Sequence, residues 1–262
     1  MISGRCRVDG WQVAYAGVSD PGLVRSCNED SLLVLPEAGF FAVADGLGGL
    51  DAGDLASSMT LDLVRERVEA VPVSAHSSRW GVRLGFRKKR PCLENMIGDI
   101  NRRLFEERMA RHKNMASTLV LVHLDQEEIV VGHVGDSRLY RRRDDALLRL
   151  TADHSLVEEL QRQGVMTADQ ARQSPQKHVI TRAIGAEPTV NPTVAFFPLR
   201  AGDVYCLCTD GLTGMLDDGA IHACLQESPD PDHCLQMANR LVACANAEGG
   251  RDNVTVVVLS VT

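Results

Sequence analysis

The sequence predicts an α+β fold built on two antiparallel sheets. Two runs of short strands joined by tight turns, in residues 11–44 and 117–150, carry that expectation, together with amphipathic helical periodicity between and after them. Consecutive strands joined by tight turns form meanders. Parallel βαβ units would need long crossovers instead.

In the first run, Trp11 to Ser19 alternates as a strand and Asp20-Pro21-Gly22 turns the chain. Leu32 to Leu35 is a second strand, Pro36 to Gly39 a hairpin turn, and Phe40 to Ala44 a third, apolar throughout as in a strand buried on both faces. This third strand ends abruptly in Asp45. Gly46, Gly48, Gly49 and Gly53 then mark a loop where backbone can approach something closely. Leu55 to Ala70 is an amphipathic helix (Leu55, Met59, Leu63, Val64, Val68) closed by Pro72. Residues 73–91 are Ser-rich and then basic (Arg79, Arg83, Arg87, Lys88, Lys89, Arg90). They read as a solvated loop, or as a docking segment at 79–90 for an acidic partner or a membrane surface. Leu93 to Ala110 is a second helix.

The second run comprises Ser117–Leu124, Ile129–Val134, Leu139–Arg141 and Leu147–Leu150, with turns at Asp125–Glu128 and Asp144–Asp145. Ser155 to Gln163 is a short helix ended by Gly164, and Thr167 to Gln170 is a capping box for another. From there to Asn191 the chain is loop-rich and polar, as a mobile lid would be. A strand at Val204–Thr209, helices at Ile221–Gln226 and Asp232–Ala247, and a last strand at Val254–Leu259 complete the reading. No internal repeat or long linker divides residues 1–262, so one domain is expected.

The net charge of −7 and the isoelectric point near 5.6 argue against a nucleic-acid binder. No apolar run is long enough to span a bilayer, and the first residues carry no secretory apolar core, so a cytoplasmic protein is expected. The eight cysteines are spread singly, with no Cys-x-x-Cys, as reduced thiols would be.

The chemistry is announced by repetition. A lone Asp-Gly is ordinarily a hairpin turn. Here Asp45-Gly46, Asp136, Asp210-Gly211 and Asp252 all stand beside the strongest strand signals. Carboxylates gathered in one place repel and raise one another's pKa unless cations sit between them. Oxygen donors without His or Cys spacing favour Mg²⁺ or Mn²⁺ over zinc. Arg25, four and five residues before Glu29 and Asp30, is either a surface ion pair or a bidentate fork for phosphate. His233-Cys234 followed by Arg240 has the spacing of a cysteine-dependent phosphatase. However, apolar spacing continues through Leu241 and Val242, so Cys234 reads as helical core. His133 and His154 are assigned to packing and capping.

Five segments then fall into a known order: Arg25–Ser31, Val43–Gly49, Val134–Arg138, Thr209–Gly211 and Arg251–Asn253. From about residue 12 to its end the chain resembles the metal-dependent protein phosphatase family, in particular its bacterial type 2C serine/threonine phosphatases. The resemblance implies a four-layer α-β-β-α sandwich. It also implies a two-metal centre bridged by Asp45, one ion completed by Asp210 and Asp252, the other served by the Gly46 carbonyl with Glu29 and Asp30. Asp136, with Asp210, matches a third metal position, and Arg25 the phosphate-binding arginine. The span from about 155 to 195 corresponds to the family's flap. Two to three Mn²⁺ or Mg²⁺ ions are therefore expected, activating a bridging water against phosphoserine or phosphothreonine in proteins. The expected setting is opposition to Ser/Thr kinases. The alternative is a catalytically silent regulator that binds phosphoproteins, against which the full carboxylate set argues. Three departures stand out. Leu47 replaces the histidine with which eukaryotic members protonate the leaving group, and Leu50 and Asp54 stand where bacterial relatives usually have His and Glu. The 79–90 segment is longer and more basic than the family's usual link.

Overall fold

The computed structural model describes residues 1–48, 52–70, 86–111, 114–226 and 233–262, with backbone alone for 86–91. The strands are β1 (Ile2–Val8), β2 (Trp11–Asp20), β3 (Asp30–Leu35), β4 (Phe40–Leu47), β5 (Ala116–Ser117) and β6 (Leu119–Leu124). They continue as β7 (Glu128–Val134), β8 (Arg138–Arg143), β9 (Ala146–Arg149), β10 (Thr193–Pro198), β11 (Val204–Cys208) and β12 (Val254–Val261). The helices are α1 (Ala52–Glu69), α2 (Phe86–Arg111), α3 (Leu156–Arg162), α4 (Ala168–Gln173), α5 (Asp210–Thr213), α6 (Asp218–Cys224) and α7 (His233–Ala247). One sheet has the order β1-β2-β12-β11-β8-β9. The other runs β10-β7-β6-β4-β3, with β5 added to β4.

Strand periodicity explains why the sheets stack in layers. Along β4, Phe40, Ala42 and Ala44 face α1 and α2, packing with Val64, Ile97, Ile100 and Leu104. Phe41 and Val43 face the other sheet, where they join Val13, Val120, Val122, Leu207, Val257 and Leu259. On the far side, Cys206, Val256 and Val258 meet Leu212, Ile221, Met237 and Leu241 of α5, α6 and α7. Three apolar layers between four structural ones give the expected α-β-β-α sandwich.

The two meanders, however, are not the two sheets. β3 pairs with β4, but β2 lies in the other sheet between β1 and β12. Likewise the β6–β7 hairpin belongs to one sheet and β8–β9 to the other. The chain crosses between sheets at residues 21–29 and again at 135–137. Alternation identifies each hairpin locally, but sheet membership is decided by long-range pairing such as Val18 with Val256, which no local pattern carries. β1 and β10 are additions to the sequence reading, because β1 is mostly exposed, β10 mostly only partly buried, and their apolar signal is weak. α2 begins at Phe86, so the supposed 73–91 loop is helical from there on. Pro91 is unfavourable in a helix interior and hides that start in the sequence. Residues 71–85, with most of the basic 79–90 segment, lie outside the described residues. Asp210 opens a one-turn helix, α5, an element absent from the sequence reading. No helix among the described residues is long and apolar enough to cross a membrane.

Candidate metal centre

The aspartates singled out in the sequence meet at one rim, where the chain passes between sheets or leaves them. Asp45, in β4, stands in register with Asp30 of β3. Its backbone is fixed by Thr118: Asp45 N–H donates to Thr118 Oγ1 (2.9 Å), and Thr118 N–H donates to the Asp45 carbonyl (2.8 Å). Thr118 Oγ1 also lies 2.7 Å from Ser137 Oγ, beside Asp136. Asp30 is buried and accepts a hydrogen bond from Thr209 Oγ1 (2.8 Å), next to Asp210. Three segments distant in sequence are thereby tied together.

The electrostatics follow. Burial pushes the Asp45 carboxyl well above the usual carboxylate range, and the charges of Asp30, Asp210 and Asp136 push it further. Burial likewise takes Asp30 up to about 7, against the pull of the Thr209 and Thr255 hydroxyls and with the repulsion of Asp210 and Asp252. Asp136 rises to about 7 through burial and then through Asp210 and Asp153. Without counter-charge, these acids keep protons that isolated carboxylates would shed at neutral pH.

Gly46 is required by close approach, since a Cβ there would run into the Gly53 carbonyl. Its N–H donates to the Glu29 carbonyl (3.1 Å), and Glu29 N–H donates to Asn253 Oδ1 (2.8 Å). Asn253 Nδ2 donates in turn to the carbonyls of Pro21 (3.0 Å) and Cys27 (2.8 Å), strapping the crossover loop to β12. Arg25, on that loop, does not pair with Glu29 or Asp30 as its spacing allowed. Its guanidinium Nη2 lies 2.8 Å from Asp252 Oδ2, with half of the arginine side chain exposed. Of the departures, Leu47 is half-buried at the end of β4 and the Asp54 side chain is exposed on α1, while Gly49 and Leu50 lie outside the described residues.

All the sequence-predicted site residues therefore collect here: Arg25, Glu29, Asp30, Asp45, Gly46, Asp136, Asp210 and Asp252. Thr209 and Asn253 stood inside recognised segments, but their bonds, like that of Thr118, escaped the sequence reading, because Asp30, Cys27 and Asp45 lie 179, 226 and 73 residues away from them respectively. Among the described residues no three His, Cys, Asp or Glu side chains already converge as a finished coordination shell. Arg25 engages Asp252, and the Asp45 carboxyl sits within the repulsion of Asp30, Asp210 and Asp136. The donor set still fits a hard divalent cation: every candidate atom is oxygen, and the acids destabilise one another for want of positive charge.

A cavity of about 710 Å³ runs off Asp136 and Asp210, between the excursion that links β9 to β10 and the α5–α6 turn. His178 on the excursion brings Nδ1 to 3.9 Å from Asp210 Oδ2, and that carboxylate raises the imidazole pKa. Cys234 is elsewhere, 3 % exposed on α7, with its thiol pushed up to about 12 mainly by burial. It packs as the sequence suggested and is no nucleophile.

Residues 24–253 match the profile of the family described as Protein phosphatase 2C. A serine/threonine phosphatase, stp, of Listeria innocua is 31% identical over 249 residues, covering 92% of this chain and 93% of that protein. The crystal structure of serine/threonine phosphatase Stp1 from Staphylococcus aureus superposes with a TM-score of 0.86 at 27% identity over the whole of both chains. The catalytic domain of PstP, a serine/threonine protein phosphatase solved with two manganese ions, gives a TM-score of 0.80 at 31% identity, covering 95% of this chain and 98% of that one.

Proposed function

The chain belongs to the protein phosphatase 2C family, and from that premise we propose that it is a metal-dependent phosphatase of phosphoserine and phosphothreonine in proteins. One observation carries the reading: Asp45 and Asp136, both raised in pKa, crowd against the charge of Asp210, and Arg25 stands beside them. Two to three Mn²⁺ or Mg²⁺ ions would be held by Asp45, Asp210, Asp252, the Gly46 carbonyl, Asp136 and the Glu29/Asp30 pair. When bound, such ions would acidify water and offset the charge of a phosphoryl group.

The chain's own residues supply the rest. Arg25 offers a planar donor fork to phosphoryl oxygens and exchanges its contact with Asp252 for substrate. Thr118 holds the Asp45 backbone and Thr209 holds the Asp30 carboxylate, so orientation is set before substrate arrives. The cavity beside Asp136 gives room for polypeptide flanking the phosphorylated residue, and the β9–β10 excursion on its wall acts as the flap of a single catalytic domain. His178 reaches from that excursion to the cluster's edge, whereas Leu47 has no proton to give the leaving group. Kinases that phosphorylate the same serines and threonines, in the cytoplasm, would be the enzyme's opponents.

The test is hydrolysis of a phenyl phosphate ester and of a phosphothreonine peptide. Activity should appear with saturating Mn²⁺, vanish with EDTA, survive iodoacetamide, and drop by on the order of 10²–10³-fold in Asp45→Ala and Asp210→Ala, as for loss of transition-state charge stabilisation. A folded protein that takes up Mn²⁺ and binds phosphopeptide without hydrolysing it would instead be the silent regulator.

A further inference from the structure

His154 is not part of the acid cluster, yet it holds the turn that presents Asp136. It is 6 % exposed, where the β9–β10 excursion leaves its sheet. Gly135 is gripped by it from both sides: His154 N–H donates to the Gly135 carbonyl (2.9 Å), and Gly135 N–H donates to His154 Nδ1 (3.2 Å). Both ring nitrogens face a donor, Gly135 N–H at Nδ1 and Arg182 Nη1 at Nε2, but only Nε2 also has an acceptor in reach, the Thr193 hydroxyl, so we assign Nδ1 as the bare nitrogen and Nε2 as the one that carries the ring hydrogen. Nε2 lies 2.9 Å from the Thr193 hydroxyl, which accepts that hydrogen. Arg182 Nη1 at 3.3 Å from Nε2 and the stacked ring of His133, centroids 4.7 Å apart, disfavour a second proton. Gly135 has little freedom of its own. Its φ is +103°, and a Cβ would lie 2.6 Å from Thr118 Cγ2. The next residue is Asp136.

On its other side, the backbone at His154 ties the start of the excursion to residues 179–181. Its carbonyl accepts Thr181 N–H (2.7 Å), Ser155 bridges to Ile180, and Leu156 N–H donates to the Val179 carbonyl (2.9 Å). The neighbouring Asp153 receives the Arg138 guanidinium at 2.6 to 3.1 Å, two residues beyond Asp136.

We propose that His154 is a positioning residue: holding the Gly135–Asp136 peptide against the root of the excursion, it aims the Asp136 carboxylate at a divalent cation and couples that cation's binding to the seating of the excursion. The inference rests on reading Asp136 as a metal ligand. An imidazole suits the task because one rigid ring accepts at one edge and donates at the other, spanning Gly135 to Thr193. Asparagine keeps an acceptor near the Nδ1 position, whereas glutamine places its amide near Nε2.

Calorimetric titration of Mn²⁺ into the metal-stripped protein tests this, the ion in question being identified as the one lost in Asp136→Asn. His154→Ala should weaken that ion by on the order of 10–100-fold, the usual effect of losing an outer-shell partner of a metal ligand. His154→Asn should recover most of the loss and His154→Gln little of it. Nitrogen NMR of the metal-free wild type should report the Nε2–H tautomer. Wild-type Mn²⁺ affinity in folded His154→Ala, equal losses in all three variants, or an Nδ1–H tautomer would each overturn the proposal while leaving the metal centre intact. No Mn²⁺ uptake by the wild type would sink both. Should His154→Ala fail to fold, Thr193→Val, which removes the Nε2–H acceptor, should weaken the same ion. An unchanged affinity there would count against the proposal.

Discussion

Arg25 shows what a single side chain's environment decides. From the sequence it was an arginine near two acids. In the fold it reaches across 227 residues to Asp252 and stays half exposed, so the ion pair adds little to stability. Arg25→Ala should leave the thermal melt almost unchanged, within about 0.5 kcal/mol for an exposed pair. It should raise KM for a phosphopeptide by about tenfold or more, with Arg25→Lys in between, since a lysine supplies charge without the planar fork. Steady-state kinetics beside a melt separate the two effects, and a large loss of stability with unchanged KM would count against a phosphate role. The acids themselves were legible because aspartate next to a strong strand signal is a local pattern. Thr118, Thr209 and Asn253 were not, since a threonine or asparagine acquires its task only when a distant strand arrives beside it.

Among the elements, the hairpins β3–β4, β6–β7 and β8–β9 could be read from alternation and turn residues. The division of strands between sheets could not, because each hairpin has apolar residues for either face. The segment from β7 to the excursion adds a measurable property. Burial lowers the pKa of His133 and, helped by His133 and Arg182, takes His154 down to about 3. The folded protein therefore refuses protons that the unfolded chain accepts near 6.5. The stability these rings contribute is complete above that value and falls as the pH drops below it, by up to about 1.4 kcal/mol per pH unit for each ring, for His154 down to about 3. Denaturant titrations of the Mn²⁺-loaded protein at pH 7 and pH 5.5 should show this loss, and His133→Asn should flatten it. An identical slope in the variant would show that other groups set the acid limb.

The whole molecule rests on three apolar layers, and the one between the sheets holds the two halves of the site in register. Leu259 of β12 is fully buried there, well away from the acids. Leu259→Ala should cost about 2–5 kcal/mol in a denaturant titration, as large-to-small changes in a packed interior do. The Mn²⁺ requirement of the folded fraction should not change. If the Mn²⁺ requirement rose in parallel with the lost stability, the two sheets would be moving relative to each other as the core loosens.

The central place of β12 has a consequence for how this protein comes into being. That strand lies between β2 and β11, bringing residues near 255 to an edge first laid down before residue 20. Until residues 254–261 have left the ribosome, β2 and β11 each present an open ladder to other nascent chains. A chain truncated before residue 252 lacks both an acid of the site and the strand that joins β2 to β11, and is born as a target for chaperones and proteases.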